Sequence, residues 1–307
     1  MEAAVESPMA PARLRVGIIS AGRVGTALGE ALAAVGHRVE SVVATSPVSI
    51  TRAAERLPFA QVRGLADVVA SSQLIVIAVP DTELAAVAAR IAEHVVPGSI
   101  VVHTAGAHGI GVLEPIARRG AIVAATHPAM TFVDSTDDTA RLASSCFGVT
   151  AADEIGDAIA MALVMELGAT PIRIAETSRA LYHAALAHGA NNLNALITDA
   201  VTALQAAIGG PAGDAAAAAT VDGGGIGLAE QLLAPLVTAS LENVLAQGRS
   251  ALTGPVARGD VDAVARHLDE LSQVHEGIAR GYRVLAGRAA AQHDAGPDMR
   301  ALLEVRP

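Results

Sequence analysis

The sequence predicts an α/β protein in which a doubly wound parallel sheet is followed by an all-α second domain. Three observations carry this. Near-continuous apolar, β-rich runs alternate with amphipathic stretches up to about residue 175, the pattern of a parallel sheet covered on both faces. The first of these runs leads through a glycine-containing turn into a helix. From Glu176 onward no convincing strand follows, and apolar residues recur at helical spacing instead.

The elements follow in order. Residues 1–12 form an Ala/Pro-rich stretch expected to be a flexible leader, 13–175 the sheet domain and 176–307 the helical domain. Strands are expected at Arg15–Ser20, Arg38–Ser46, Leu74–Pro80, Ser99–Ala105, Ala121–Thr126, Cys146–Ala151 and Pro171–Ala175. The intervening helices make right-handed crossovers. Thr177 or Ser178 can cap a long helix whose apolar positions Tyr182, Leu186, Leu193 and Leu196 continue towards Ile208. Gly209-Gly210-Pro211 ends it, and the Ala/Gly-rich stretch to Gly227 reads as a mobile loop. Further helices are expected at about 228–247, 260–272 and 275–291, with Asp260 capping the second of them.

Composition narrows the function classes. Hydrophobic residues make up 52% of the chain but aromatics only 2%, so the core is built from Ala, Val, Leu and Ile, and closely packed Ala-rich helices are expected. With 21 Lys plus Arg against 31 Asp plus Glu, the field of the chain repels polyanions, which argues against nucleic acid as a partner. No apolar run reaches the roughly 18 to 20 residues of a spanning helix, so no membrane role and a cytoplasmic location are expected. The single cysteine, Cys146, allows no intrachain disulfide or multi-thiolate metal site, and we expect it to be buried and inert.

The strongest local signal is the strand, turn and helix start from Arg15 to Leu28. Ser20, Gly22 and Gly25 fall on the three glycine positions of the dinucleotide fingerprint, with Ala21, Arg23 and Val24 between them. Gly22 lets the backbone approach a pyrophosphate, Gly25 lets helix and strand pack closely, and the helix start offers amide donors to the anion. Ser20 departs from the usual first glycine. The second strand ends near Thr45 and Ser46 without the carboxylate that holds the ribose hydroxyls in NAD-preferring folds. With Arg52 and Arg23 nearby, hydroxyl and guanidinium groups can hold a 2'-phosphate instead, so NADP is preferred to NAD.

In such a sheet the ligand lies outside the carboxyl ends of the strands. Val79, Pro80 and Asp81 follow one strand, His103, Thr104 and Gly106 the next, and His127-Pro128 the one after. Pro80 can keep its loop off the cofactor, and Gly106 can give nicotinamide close backbone access. Asp81 reads best as a helix cap. For His103 and His127, a structural ring bonded to a loop carbonyl and a role towards substrate stand side by side. On the long helix, His183, Asn191 and Asn194 share one stripe, while His188 and Asn192, four apart, share another. His183 is the candidate acid and Asn191 the amide that orients a carbonyl, with His127 as a second candidate for proton transfer.

Taken together, these residues resemble the bacterial family that joins a Rossmann-like domain to the domain of unknown function numbered 2520. The likeness extends more distantly to the ketopantoate, pyrroline-carboxylate and hydroxyacid reductases. It rests on the turn Gly22 to Gly25, on Ala78 to Asp81, His103 to Gly106, His127-Pro128 and Leu181 to Ala185 with Asn191, and on Leu252 to Asp260 with His267. Ser20 departs from the pattern, as does Ala105, where the family commonly has serine. The resemblance implies a Rossmann-type, NADP-linked dehydrogenase architecture, some members of which are thought to reduce ketopantoate. It also implies that the turn from Thr253 to Asp260 lies near the cleft.

The expected function is hydride transfer from NADPH to a small carbonyl or imine compound held between the domains, with a 2-oxo acid such as ketopantoate first among substrates. A deazaflavin at the same turn is the alternative within this class. A non-catalytic nucleotide sensor or interaction protein is the alternative outside it. Both readings expect a homodimer, because small apolar helix faces need burial.

Overall fold

The computed structural model describes residues 13–209 and 227–304. The expected leader and most of the expected Ala/Gly-rich loop lie outside the described residues. Along the chain run β1 (Arg15–Ile19), α1 (Arg23–Ala34), β2 (Arg38–Val43), α2 (Pro47–Arg56), β3 (Gln61–Val62), α3 (Leu65–Ser71), β4 (Leu74–Ile77) and α4 (Asp81–Ala92). They are followed by β5 (Ile100–His103), α5 (Glu114–Ala117), β6 (Ile122–Pro128), α6 (Asp137–Leu142), β7 (Cys146–Ala151), α7 (Glu154–Glu166) and β8 (Thr170–Arg173). The rest is helical: α8 (Arg179–Gly209), α9 (Leu228–Gln247), α10 (Pro255–Arg258), α11 (Val261–Val274), α12 (Glu276–Gln292) and α13 (Pro297–Leu303).

The strands form one sheet in the order β3-β2-β1-β4-β5-β6-β7-β8. The chain winds from β1 outward to β3 and then crosses back to β4 on the other side of β1. This leaves a crevice at the carboxyl ends of β1 and β4, where doubly wound sheets take their ligands. Side chains alternate between the two faces. Leu74, Val76 and Val102 pack with Ile18 beneath α1 and α7, whereas Ile75, Ile77 and Val101 pack with Ile19 beneath α3, α4 and α5. Both faces are therefore buried, which is why the strands read as continuous apolar runs.

Three expectations need correction. The sheet is not parallel throughout, since β7 runs antiparallel to β6 with His127 opposite Gly148. The segment after Pro128 re-enters at the same end of the sheet, so no crossover reverses it. The two-residue β3 pairs with β2 through Ser41 and Val42, and it is too short to leave a pattern in the sequence. Cys146 is exposed rather than buried, because it is the first residue of β7 and precedes the packed part of that strand.

Contacts divide the chain into two compact units, Met1–Ala187 and His188–Pro307, with the division inside α8. In the second unit Val264, Leu268, Ala286, Ala290, Met299 and Leu303 form a small core from α11, α12 and α13. Asp260 caps α11 through the Ala263 amide as the sequence predicts, and His275 caps α12 in the same way through Gly277. The three helices expected after residue 227 appear with nearly the expected bounds.

Candidate functional site

The turn after β1 is built as an anion cradle. Ser20 sits at φ 86°, the left-handed region that a first glycine would occupy without strain. Ala21 is buried, and its amide donates to the Val43 carbonyl at the end of β2. A Cβ on Gly25 would collide with the Ser20 carbonyl oxygen, so this glycine is required by helix-to-strand packing. Gly22 differs. Its φ is −77°, and a Cβ there would meet nothing closer than Ser20 Oγ at 3.5 Å. Nothing within the chain demands glycine, whereas a phosphate approaching the backbone would. Gly22 opens the twelve-residue α1 without a side-chain cap, so the first amides of the helix are left to a ligand or solvent. The residues present thus fit a dinucleotide diphosphate.

Around this turn the other candidates take specific places. Thr45 is exposed beyond the end of β2, and Ser46 caps α2, its Oγ accepting from the Ser49 amide at 3.1 Å. Arg23 donates to the Phe132 carbonyl oxygen at 3.5 Å. Arg52 is engaged twice: its guanidinium is bidentate to Asp134 at 2.7 and 2.6 Å, and it also donates to the Ala21 carbonyl at 3.1 Å. Val79 and Pro80 follow β4. Pro80, not Asp81, is the N-cap of α4, and Asp81 instead brings its charge to the first turn.

The ends of β5 and β6 hold two histidines with different environments. His103 is fully buried, with both ring nitrogens used: Nε2 donates to the Gly109 carbonyl at 2.8 Å, while Nδ1 accepts from the Ala105 amide at 3.1 Å. Burial pushes its pKa down to about 4, so it is a neutral ring that shapes the loop carrying Thr104 and Gly106. His127 is half-buried. Its Nδ1 lies 2.9 Å from the Tyr182 hydroxyl, and burial, with help from His183 and Arg179, lowers its pKa to about 4 as well. A Cβ on Gly106 would lie 2.9 Å from His127 Nε2 and 2.5 Å from His183 Cδ2. The two imidazoles stand edge to face, centroids 6.0 Å apart, against the Gly106 backbone. His127, Tyr182, His183 and Gly106 therefore form one cluster.

The cluster is held by residues that sequence reasoning did not single out. Arg179, the first residue of α8, is 1% exposed. Its Nε donates to Thr150 Oγ1 at 2.7 Å and its Nη2 to the carbonyls of Ala125 and Gly148, both at 3.0 Å. This pins the start of α8 to β6 and β7 and sets Tyr182 and His183 one turn later. Gly148 leaves room for the Tyr182 ring, since a Cβ there would fall 2.7 Å from the hydroxyl. Glu176 accepts from the amides of Ile110 at 2.8 Å and Gly111 at 3.1 Å, tying the approach to α8 to the loop after Gly106.

Asn191 belongs to the second unit and is exposed on α8. There His188 and Asn192, paired by the sequence at four-residue spacing, are hydrogen-bonded at 2.8 Å. Leu252, Thr253, Pro255 and Val256 line an apolar groove of about 1410 Å³ within this unit. The groove also holds His267 and Tyr282, joined at 2.9 Å.

Comparison with known proteins agrees with this architecture. Residues 1–128 match the Rossmann-like domain, and residues 145–289 match the domain of unknown function numbered 2520. The chain joins these two domains. No curated protein matches it in sequence. Among solved structures it is similar to a Bacteroides fragilis protein named as an NADP oxidoreductase (TM-score 0.73, 21% identity, 91% of this chain and 98% of that one). It is similar to a reductive aminase from Aspergillus terreus in complex with NADPH and ethyl-5-oxohexanoate (TM-score 0.63, 15% identity, 95% and 98% covered). A further likeness is to Plasmodium falciparum pyrroline carboxylate reductase with NADP bound (TM-score 0.55, 14% identity, 91% and 98% covered). At these identities the likeness is one of fold. Among the described residues no helix is long and apolar enough to cross a membrane.

Proposed function

We propose that this chain is an NADP(H)-dependent oxidoreductase acting on a small carbonyl or imine compound, as a cytoplasmic homodimer. The observation that carries the reading is the convergence, at the carboxyl ends of the strands, of an anion-binding turn with a histidine, tyrosine and glycine cluster. The solved relatives that hold NADP or NADPH support a nicotinamide, and the deazaflavin alternative gains no support from them.

The amides at the start of α1 and the open face of Gly22 would hold the diphosphate, Thr45, Ser46 and Arg52 the adenosine ribose, and Val79, Pro80, Thr104 and Gly106 the nicotinamide. The cofactor supplies a hydride when bound. The chain supplies the proton. A His127 with a pKa of about 4 is neutral at pH 7, so it does not act as a standing imidazolium acid. With the Tyr182 hydroxyl donating to Nδ1, Nε2 carries the proton and faces Gly106. A proton given up at Nε2 is replaced at Nδ1 from Tyr182, leaving a tyrosinate that burial disfavours, that the neighbouring Arg179 guanidinium offsets and that solvent reprotonates, so the pair works as a relay. His183 stands beside this atom as the second donor.

Substrate is tested by mixing purified protein with NADPH and a panel of 2-oxo acids and cyclic imines, ketopantoate first. The expected result is substrate-dependent loss of nicotinamide absorbance that His127→Ala and His183→Ala abolish while NADPH binding persists. Binding without turnover across the whole panel would count against the enzyme.

A further inference from the structure

The guanidinium best placed for a ribose phosphate is already occupied. Arg52 follows β2 on α2, and its contact with the Ala21 carbonyl puts it beside the diphosphate turn. Its Nε and Nη2 edge is taken by both oxygens of Asp134, a residue from the segment between β6 and β7. Together with Thr51 and Arg56 the pair lines a pocket of about 380 Å³ at the end of β2, where doubly wound folds read the 2'-position of the ribose.

The segment that presents Asp134 is constructed rather than loose. Asp138 is fully buried, and its Oδ2 accepts from the amides of Val133 at 3.0 Å, Asp134 at 2.9 Å and Ser135 at 3.2 Å. Asp134 itself sits at φ 71°, a left-handed position that aspartate tolerates better than most residues. Two residues earlier, the Phe132 carbonyl accepts from Arg23 of the turn after β1. The segment is thus wired to both sides of the cradle. The cations of this corner already face carboxylates: Arg56 is engaged by Glu30 at 2.5 Å and lies 3.7 Å from Asp134, and Glu55 lines the same pocket. A 2'-phosphate would add about two negative charges to a corner that has none to spare.

We infer that Asp134 is an intramolecular competitor for the 2'-phosphate: it holds Arg52 in the ligand-free protein and must release it for NADP(H), but not for NAD(H). The inference rests on the dinucleotide reading above and adds to it the residue that sets cofactor preference. A free 2'-hydroxyl neither needs Arg52 nor displaces the carboxylate. A phosphate does both, and it takes over a fork that suits its oxygens as well as it suits a carboxylate.

The test titrates the full-length protein with NADPH and NADH, and with ADP-ribose and its 2'-phosphate as probes that cannot react. Asp134→Asn should tighten NADPH about tenfold and leave NADH within about threefold. In an Arg52→Gln background the same change should give no gain. An unchanged ratio of the two affinities in a folded Asp134→Asn or Asp134→Ala variant would overturn the inference while leaving the dinucleotide reading intact. Binding of neither nucleotide by wild type would remove both. Hydrogen exchange on the wild-type protein gives an independent readout. NADPH, but not NADH, should alter protection of the amides at 133–135, and equal effects of the two would also overturn the inference.

Discussion

Tyr182, the proposed proton source, shows how a side chain of the candidate site can hide in a periodic pattern. In the sequence it is one more apolar position at helical spacing, and nothing local separates it from Leu186. Only the return of β7 beside β6, and the anchoring of α8 by Arg179, brings its hydroxyl to His127. Tyr182→Phe should lower kcat about ten- to a hundredfold with KM changed less than about twofold, because it removes the proton source without emptying the pocket. A steady-state comparison checks this, and an equal fall in affinity would assign Tyr182 to packing. The histidines themselves were legible as candidates, but their division of labour was not. His103 spends both nitrogens on its own loop, and only the partners reveal that. Stability should depend on pH through these rings. An unfolded histidine titrates near 6.5, whereas His103 and His127 titrate near 4 in the folded chain, so the unfolded state binds more protons between those values. Their contribution is complete above about pH 6.5 and falls progressively as pH drops towards 4, on the order of 2 to 3 kcal/mol for each ring. Denaturant titrations at pH 7.5, 6 and 5 measure this slope, and His103→Gln should flatten it.

Elements were legible where local chemistry defines them. Asp260 announced α11, and the apolar period after residue 227 gave α9, α11 and α12 close to their observed bounds. Strand direction is not a local property, so the reversal at β7 left no trace in an apolar run that looks like the others. The pairing of Arg52 with Asp134 was hidden for the same reason, since it joins residues separated by 82 positions. The turn after β1 lies between these cases. The glycine positions were read from the sequence, while the conformation of Ser20 required the structure. An L-residue in the left-handed region is strained by roughly 1 to 2 kcal/mol, which glycine avoids. Ser20→Gly should therefore raise stability by about 1 kcal/mol and leave dinucleotide affinity intact. Thermal unfolding together with a nucleotide titration tests this. A destabilised variant would mean that the Ser20 hydroxyl makes a contact worth more than the strain.

For the whole molecule, the decisive fact is how little of two long helices is buried among the described residues. Of the 31 residues of α8 only Arg179 is buried, and of the 20 residues of α9 only Ala229. Yet α9 carries large apolar residues over most of its circumference outside the face of Gln231, Thr238 and Glu242, with Leu232 60%, Leu236 65% and Leu245 78% exposed. A helix of that kind is stable in water only when its faces are packed on something. The groove that Leu196, Leu204, Leu232 and Leu236 help to line in the second unit is a receiving surface of the same apolar character. An apolar face meeting its own copy across a two-fold axis satisfies both at once, whereas a monomer would leave a patch of the kind that marks interfaces. The expected outcome is a dimer at micromolar concentration in sedimentation velocity. Leu236→Asp combined with Leu245→Asp should shift the population to monomer while NADPH affinity is kept, because the diphosphate turn lies in the other unit. A wild-type protein that sediments as a monomer would leave α9 without a partner and refute the homodimer.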